Sequence, residues 1–532
     1  MSGALTPQGP SGIRHATARD AALSYGLALL LVCAPLFLGT WRPVPLMIME
    51  LAAVALLAGL FMPRQAAAAG SEDGRTGAVG HPGRPSRPAL LFLLLLFLLP
   101  LFQLVPLPFE LWSELPGRAF YAEALRLAGD TEDGFNWRAI SLIPTTTEAA
   151  WLTLLPPLAV FLAVLRLDRE RLLVLVLVFL GIATGEALLG LIQYGNTLMT
   201  DSATGTYRNR NHLAGLLEMA LPVGLALLAA TVGHGRPPHA GRPHGRRKPT
   251  LRQWIARFGV VRINQTAALG ASALAILLGL IFTRSRAGIS LAMLGILLSS
   301  LMFSYRLGGR NTYGLIGTFT AAGVGLASLI GLVPIWNRFA YADPFEDGRW
   351  TVFDATVQAI GEFFPLGSGA GTFIDVLRRF HPLAMPGVTI NRAHNDYLEW
   401  LLEFGLIAAV LVVVWLLFYL RQWGRVWQSG EWTRFRFVQA GAGTALLLMM
   451  LHTLVDYNLR VPANAVFTAF LAGVFFHQPR RAAARRSRRP DAAGEKSGRA
   501  PPVFTIPPEN QNNPFRTWSP TAVSRSRSRT GV

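Results

Sequence analysis

Residues 212–232 read HLAGLLEMALPVGLALLAATV, and Tyr207-Arg208-Asn209-Arg210-Asn211 stands directly in front of them. A helix needs about 20 apolar residues to cross the hydrocarbon core of a bilayer. This run is long enough, carries Glu218 as its one carboxylate, and opens on a crowd of polar groups. It reads as a transmembrane helix with a polar mouth. Comparable runs recur on both sides, at roughly 23–39, 44–62, 89–108, 149–165, 172–193, 264–283, 287–304, 312–333, 404–420, 438–455 and 462–476. The pattern predicts an all-α integral membrane protein of about 12 spans.

Composition excludes the main alternatives. The chain is 52% hydrophobic and 15% charged, whereas soluble domains carry about 25% charged residues. That much apolar surface also rules out disorder of the whole chain. Cys33 is the one cysteine, which removes a disulfide framework and a Cys-ligated zinc or iron–sulfur site. Residues 1–22 are polar and the first apolar run leads straight into the second, so no cleavable signal is read there.

The net charge of +19 reads as a topology signal. Lys and Arg resist translocation and stay on the cytoplasmic side. With the N-terminus inside, the loops 1–22, 63–88, 166–171, 233–263, 305–311, 421–437 and 477–532 collect 35 of the 49 basic residues and 9 of the 30 acidic ones. An even number of spans then puts both termini in the cytoplasm. The expected organisation is a cytoplasmic segment 1–22, a membrane domain 23–476 with a basic cytoplasmic loop 233–263, and a disordered basic tail 477–532. Such a tail is drawn to anionic membrane lipids, and no nucleic acid partner is expected. The outer face carries two long loops, 109–148 and 334–403, the second with Trp336, Trp350 and a Gly-rich turn at 367–371. Long loops with aromatic content are where function tends to sit.

Four polar clusters lie at outer membrane edges. They are Tyr207 to His212, Thr283-Arg284-Ser285-Arg286-Ala287-Gly288, Asn391 to Tyr397 followed by Glu399 and Glu403, and Asp456-Tyr457-Asn458-Leu459-Arg460. Outer arginines run against the positive-inside trend, so each calls for a reason. For one alone, snorkelling or pairing with a loop carboxylate suffices. Two Arg pairs in two short loops, Arg208/Arg210 and Arg284/Arg286, suit a phosphate clamp, because guanidinium forks bind phosphate bidentately. His394, beside Asn395 and Asp396, is either structural or a base that takes a proton from an attacking hydroxyl. Asp396 and Glu403 are seven apart and share a helix face, as a catalytic pair or as a solvated or capping stripe. Glu218 shares a face with Asn211 and would orient that cluster or pair with an Arg. The 367–371 glycines read as a turn rather than a phosphate loop, since the Lys-Ser/Thr of a P-loop is missing. Asp130-Thr131-Glu132-Asp133 reads as acidic surface or, less simply, a divalent-cation site.

Taken in order, these motifs resemble the O-antigen ligase/polymerase superfamily. The carriers are Asn209 to Glu218, the Ser285-Arg286-Ala287-Gly288 hairpin, Gly367 to Phe373, and His394-Asn395-Asp396-Tyr397-Leu398 through Gly405. Ser141 to Pro144 and His452 to Arg460 fit the same pattern. The resemblance covers roughly 90–476 and omits the tail. It implies a membrane glycosyltransferase of the GT-C-like class in the bacterial inner membrane, with its active site on the periplasmic side. It further implies an inverting reaction without metal or cofactor. The donor would be a glycan on undecaprenyl pyrophosphate and the acceptor a hydroxyl of lipid A–core or of another glycan. His394 would be the general base. Arg210 and Arg286, backed by Arg208 and Arg284, would grip the pyrophosphate, with Asn211, Glu218, Asn395, Asp396 and Tyr397 in support. Ligase, repeat-unit polymerase and protein O-oligosaccharyltransferase share the pattern. Outside that class stand an anion or lipid-linked-substrate transporter, which would place polar groups midway along broken spans, and a non-catalytic scaffold.

Overall fold

The computed structural model describes residues 18–36, 42–62, 87–129, 137–196, 202–233, 262–307, 348–428 and 432–478, together with positions 317, 321 and 325. Apart from those three positions the expected ninth span (312–333) lies outside them, as do Trp336, the Asp130–Asp133 run, most of the loop 233–263 and all but the first two residues of the tail.

The described chain is helical. In order come α1 (Ala18–Cys33), α2 (Pro43–Phe61), α3 (Arg87–Phe102), strand β1 (Pro106–Pro108), α4 (Phe109–Ser113), α5 (Ala119–Leu127) and strand β2 (Trp137–Ala139). Then follow α6 (Pro144–Leu152), α7 (Leu155–Arg166), α8 (Arg169–Gly195), α9 (Arg210–Gly233), α10 (Arg262–Phe282) and α11 (Arg286–Leu307). After position 348 come α12 (Arg349–Phe363), α13 (Phe373–Leu377), α14 (Asp396–Phe404), α15 (Leu406–Gln428), α16 (Arg434–His452), a 3-10 turn (Asn458–Arg460) and α17 (Pro462–Phe476). Among the described residues, 7 stretches are long and apolar enough to cross a membrane: α2, α6–α7 together, α8, α9, α10, α11 and α15. The protein is a multi-pass helical membrane protein.

Local chemistry sets the helix ends. Proline opens α2, α6 and α17, where its missing N–H costs nothing. Asp168, Thr433 and Asn395 cap α8, α16 and α14 through side-chain oxygens. Two expected boundaries are corrected. The third span stops at Phe102, because Pro106–Pro108 leaves the helix to pair antiparallel with Trp137–Ala139. The span expected to open at 404 begins at Leu406, because Gly405 breaks the helix with φ +58°.

α9 is the centre of the bundle, its membrane-crossing window entirely enclosed by protein. Helices approach it through small residues. A Cβ on Gly288 would stand 2.6 Å from that of Ala214, so the first turns of α11 and α9 are in backbone-close contact.

All the candidate clusters lie at one end of this bundle. There the Phe282 carbonyl meets Ala203 (2.9 Å), the Pro35 carbonyl accepts from Thr206 (2.6 Å), and Gln103 donates to the Glu403 carbonyl (2.8 Å). At the other end Arg19 donates to the Leu60 carbonyl (2.7 Å), and His477 meets the Leu167 carbonyl (3.0 Å). The start of α1 and the end of α17 are therefore at the same end, opposite the clusters.

The described parts of the loops 109–148 and 334–403 are folded. α4, α5 and the β1–β2 ladder enclose Phe109, Trp112 and Ala122. α12 to α14 enclose a second apolar core with Phe363, Phe373 and Leu402. Arg118, fully buried, ties the two by donating to the Ile140 and Gly367 carbonyls at 2.6 and 3.0 Å. Burial pushes its guanidinium down to about 10, so it stays charged at neutral pH. The 367–371 stretch is the turn expected of it. Gly369 has φ +116°, and a Cβ there would stand 2.9 Å from the Ser141 Cα.

Candidate active site

Among the described residues two non-glycine side chains adopt positive φ, Arg284 (+56°) and His394 (+52°). A side chain in the left-handed region costs of order 1–3 kcal/mol and persists only where the surroundings impose it. Both fall inside the clusters singled out from the sequence.

His394 ends an extended segment just before α14, and Asn395 behind it caps that helix, accepting from Tyr397 and Leu398 N–H at 3.0 and 3.1 Å. The imidazole keeps 29% of its surface exposed, and its Nδ1 lies 3.2 Å from Asp456 Oδ1. Asp456, 1% exposed, also accepts from Asn211 Nδ2 (2.7 Å) and Tyr457 N–H (2.9 Å), and lies 3.5 Å from Arg349 Nη2. Burial disfavours its charged form, but the His394 hydrogen bond and the Arg349 charge hold it well below the usual carboxylate range. An ionised carboxylate only accepts. The contact therefore puts the proton on Nδ1 and leaves the Nε2 lone pair available in the neutral ring.

Tyr457 packs edge-on between His394 and His212, with centroids 5.0 and 4.8 Å away, and is hydrogen-bonded to the Asn209 side chain. One rigid patch thus unites the 207–212, 391–397 and 456–460 clusters. The 283–288 hairpin joins it through backbone. Ser285 caps α11 by accepting from Gly288 N–H (3.3 Å), and that first turn sits against Ala214 of α9. Arg210 and Arg286 are accordingly the first residues of two adjoining helices. Arg208 is exposed just ahead of α9, and Arg284 occupies the hairpin bend.

The carboxylates behave differently from a solvated stripe. Asp396, Glu399 and Glu403 are fully buried. Arg392 donates to Glu399 at 2.7 Å, Arg460 lies 3.3 Å from the same carboxylate, and Arg460 also donates to Glu403. Asp396 accepts from Leu459 N–H at 2.9 Å. Burial raises Asp396 well above its ordinary range and raises Glu403. For Glu399 burial works the same way, but Arg460 and Arg392 outweigh it and leave its carboxyl below the ordinary value. Arg392 and Arg460 are thus the cluster arginines whose charge the α14 carboxylates neutralise. Tyr397 donates to the Met450 carbonyl (3.0 Å), fastening α14 to α16.

Glu218, expected to serve the Asn211 cluster or meet an Arg, pairs instead with His452, both oxygens 2.9 Å from Nδ1. Sequence reasoning placed Asp456 in a cluster without assigning it His394, and did not single out Arg349. Nothing in the spacing of the chain signals either pairing. Among the described residues no group of three His, Cys, Asp or Glu is arranged to hold a metal.

A polytopic helical bundle with a cationic, histidine-bearing patch at one rim is the class defined by these features. Residues 271–413 match the family model described as O-antigen ligase, so this stretch of the chain is similar to that family. The match takes in Arg284, Arg286 and His394. No curated protein matches the chain.

Proposed function

We propose that the protein is a ligase that transfers a glycan from undecaprenyl pyrophosphate to a hydroxyl of lipid A–core at the periplasmic face of the bacterial inner membrane. The observation that carries this reading is the His394–Asp456 contact on a strained backbone at the bundle rim. The acceptor hydroxyl attacks the anomeric carbon opposite the pyrophosphate. Its proton passes to His394 Nε2, the new glycosidic bond forms, and the sugar–phosphate bond breaks to release undecaprenyl pyrophosphate. Configuration is inverted. Asp456 fixes the ring and stabilises the imidazolium that results.

The leaving group needs cations. Arg210 and Arg286 begin α9 and α11, whose N-terminal dipole ends favour a bound anion, and guanidinium forks suit a diphosphate there. Arg208 and Arg284 lie two residues ahead of them in the chain. Developing charge on the leaving oxygen is stabilised by such fixed groups without reorganisation. The matching domain carries the O-antigen ligase description, which is in keeping with this reading, and repeat-unit polymerase is the alternative within the same family. The described helix ends away from the patch carry Arg166, Arg171, Arg306 and Arg425, which supports a periplasmic site. The rival transporter reading finds no support in α9, enclosed by protein over its crossing length with its one carboxylate paired to His452.

The test is deletion of the gene followed by complementation with His394→Ala, Arg210→Ala and Arg286→Ala, expressed at wild-type level. Each variant is expected to lose polymer on the surface-glycan gel while lipid-linked polymer accumulates. Restoration of the full ladder by all three ends the enzymatic reading, and single-repeat glycans assign a polymerase instead.

A further inference from the structure

Beneath the rim lies a second histidine–carboxylate pair that the transfer chemistry leaves unused. Glu218 and His452 are both fully buried, with Nδ1 2.9 Å from each carboxylate oxygen. Glu218 follows Asn211 by two helical turns on α9, about 10 Å deeper along the axis. His452 closes α16, and its carbonyl accepts from the Asp456 N–H at 3.0 Å. α9 and α16 are therefore bonded twice on one line, through Asn211–Asp456 at the rim and Glu218–His452 below. Both side chains of the lower bond have no solvent-exposed surface.

From this arrangement we infer that Glu218 and His452 are positioning residues, whose pairing sets the height and turn of the α16 terminus so that Asp456 meets His394 and Asn211 together. The inference rests on His394 being the general base. Neither member of the pair touches substrate. Loss of their bond lets the end of α16 drift, and a shift of about 1 Å at a base-orienting carboxylate is enough to slow proton transfer about 100-fold. The arginines on α9 and α11 keep their helices, so donor binding is preserved.

The experiment compares full-length Glu218→Gln, Glu218→Leu and the double variant Glu218→Leu/His452→Leu with wild type and His394→Ala. All are purified in detergent and assayed with lipid-linked glycan and acceptor extracted from the deletion strain. Removing both partners leaves no lone buried charge, so the double variant folds even where the single one does not. The saturated rate is expected to fall at least 10-fold in the double variant with donor KM within about two-fold of wild type. Glu218→Gln, whose carboxamide oxygen still accepts from Nδ1–H, recovers most of the rate. A double variant as fast as wild type overturns the proposal, as does a loss expressed in KM, or a Gln variant as slow as the double. If His394→Ala is itself fully active, the base assignment falls and the inference with it.

Discussion

His394 and Asp456 are 62 positions apart in the chain, yet Nδ1 of one lies 3.2 Å from a carboxylate oxygen of the other. The contact closes two otherwise separate parts of the molecule onto one another, the segment ahead of α14 and the turn between α16 and α17. It sets a partly exposed imidazole against a buried carboxylate, the arrangement that fixes the ring's orientation and tautomer.

Asp456→Asn tests that role. The carboxamide fits the same space, but its NH2 group can face Nδ1 and reverse the tautomer. The transfer rate is expected to fall by about 100-fold or more, with membrane abundance unchanged. An initial-rate assay with extracted lipid-linked glycan reads this, and wild-type turnover removes Asp456 from the mechanism.

Arg286→Ala and Arg286→Lys separate charge from fork geometry. Alanine should cost on the order of 100-fold in transfer, and lysine should recover part of that, since it restores a point charge without bidentate binding. Rates measured against donor concentration decide it, and an alanine variant with wild-type kinetics would release Arg286 from the pyrophosphate site.

Arg460→Leu is a stability prediction. Arg460 neutralises Glu399 and Glu403, both fully buried. Removing one partner of a buried pair costs about 3–5 kcal/mol, so the variant should be scarce in membranes and unfold at lower temperature. Arg460→Leu with Glu403→Gln should regain part of the loss. Equal melting of wild type and Arg460→Leu would show the network to be idle.

Asp396 gives a pH signature. Its folded value is raised by burial above the ordinary carboxylate value near 4. The folded state therefore holds a proton that the unfolded chain releases. That contribution is complete below pH of about 4 and is lost as pH rises through the raised value. Melting temperature should fall from mildly acidic to alkaline pH, and Asp396→Asn should flatten that slope while still accepting from Leu459 N–H. An identical slope in both proteins would contradict the assignment.

Gly369→Ala should selectively damage the region formed by α4, α5 and α12 to α14. The backbone has φ +116° and the new Cβ would run into Ser141. Strain of about 1–3 kcal/mol is expected, read as increased proteolysis of the 366–372 turn with the bundle intact.

The sequence on its own determined that the chain is built of long apolar helices, and it marked most of the candidate site residues. Apolar runs such as 212–232 leave a chain no alternative in lipid, where every backbone group has to bond within its own helix. Polar clusters at the mouths of those runs stood out for the same reason, and Asn209 to His212, Ser285-Arg286 and His394 were legible there. Tertiary structure alone decided which cluster meets which. Asp456 joins His394 and Asn211, Glu218 finds His452 rather than an arginine, and Arg392 and Arg460 spend their charge on Glu399 and Glu403. Spacing along a helix reports which residues share a face, but the partner of a buried charge is set by helices that cross it from elsewhere in the chain.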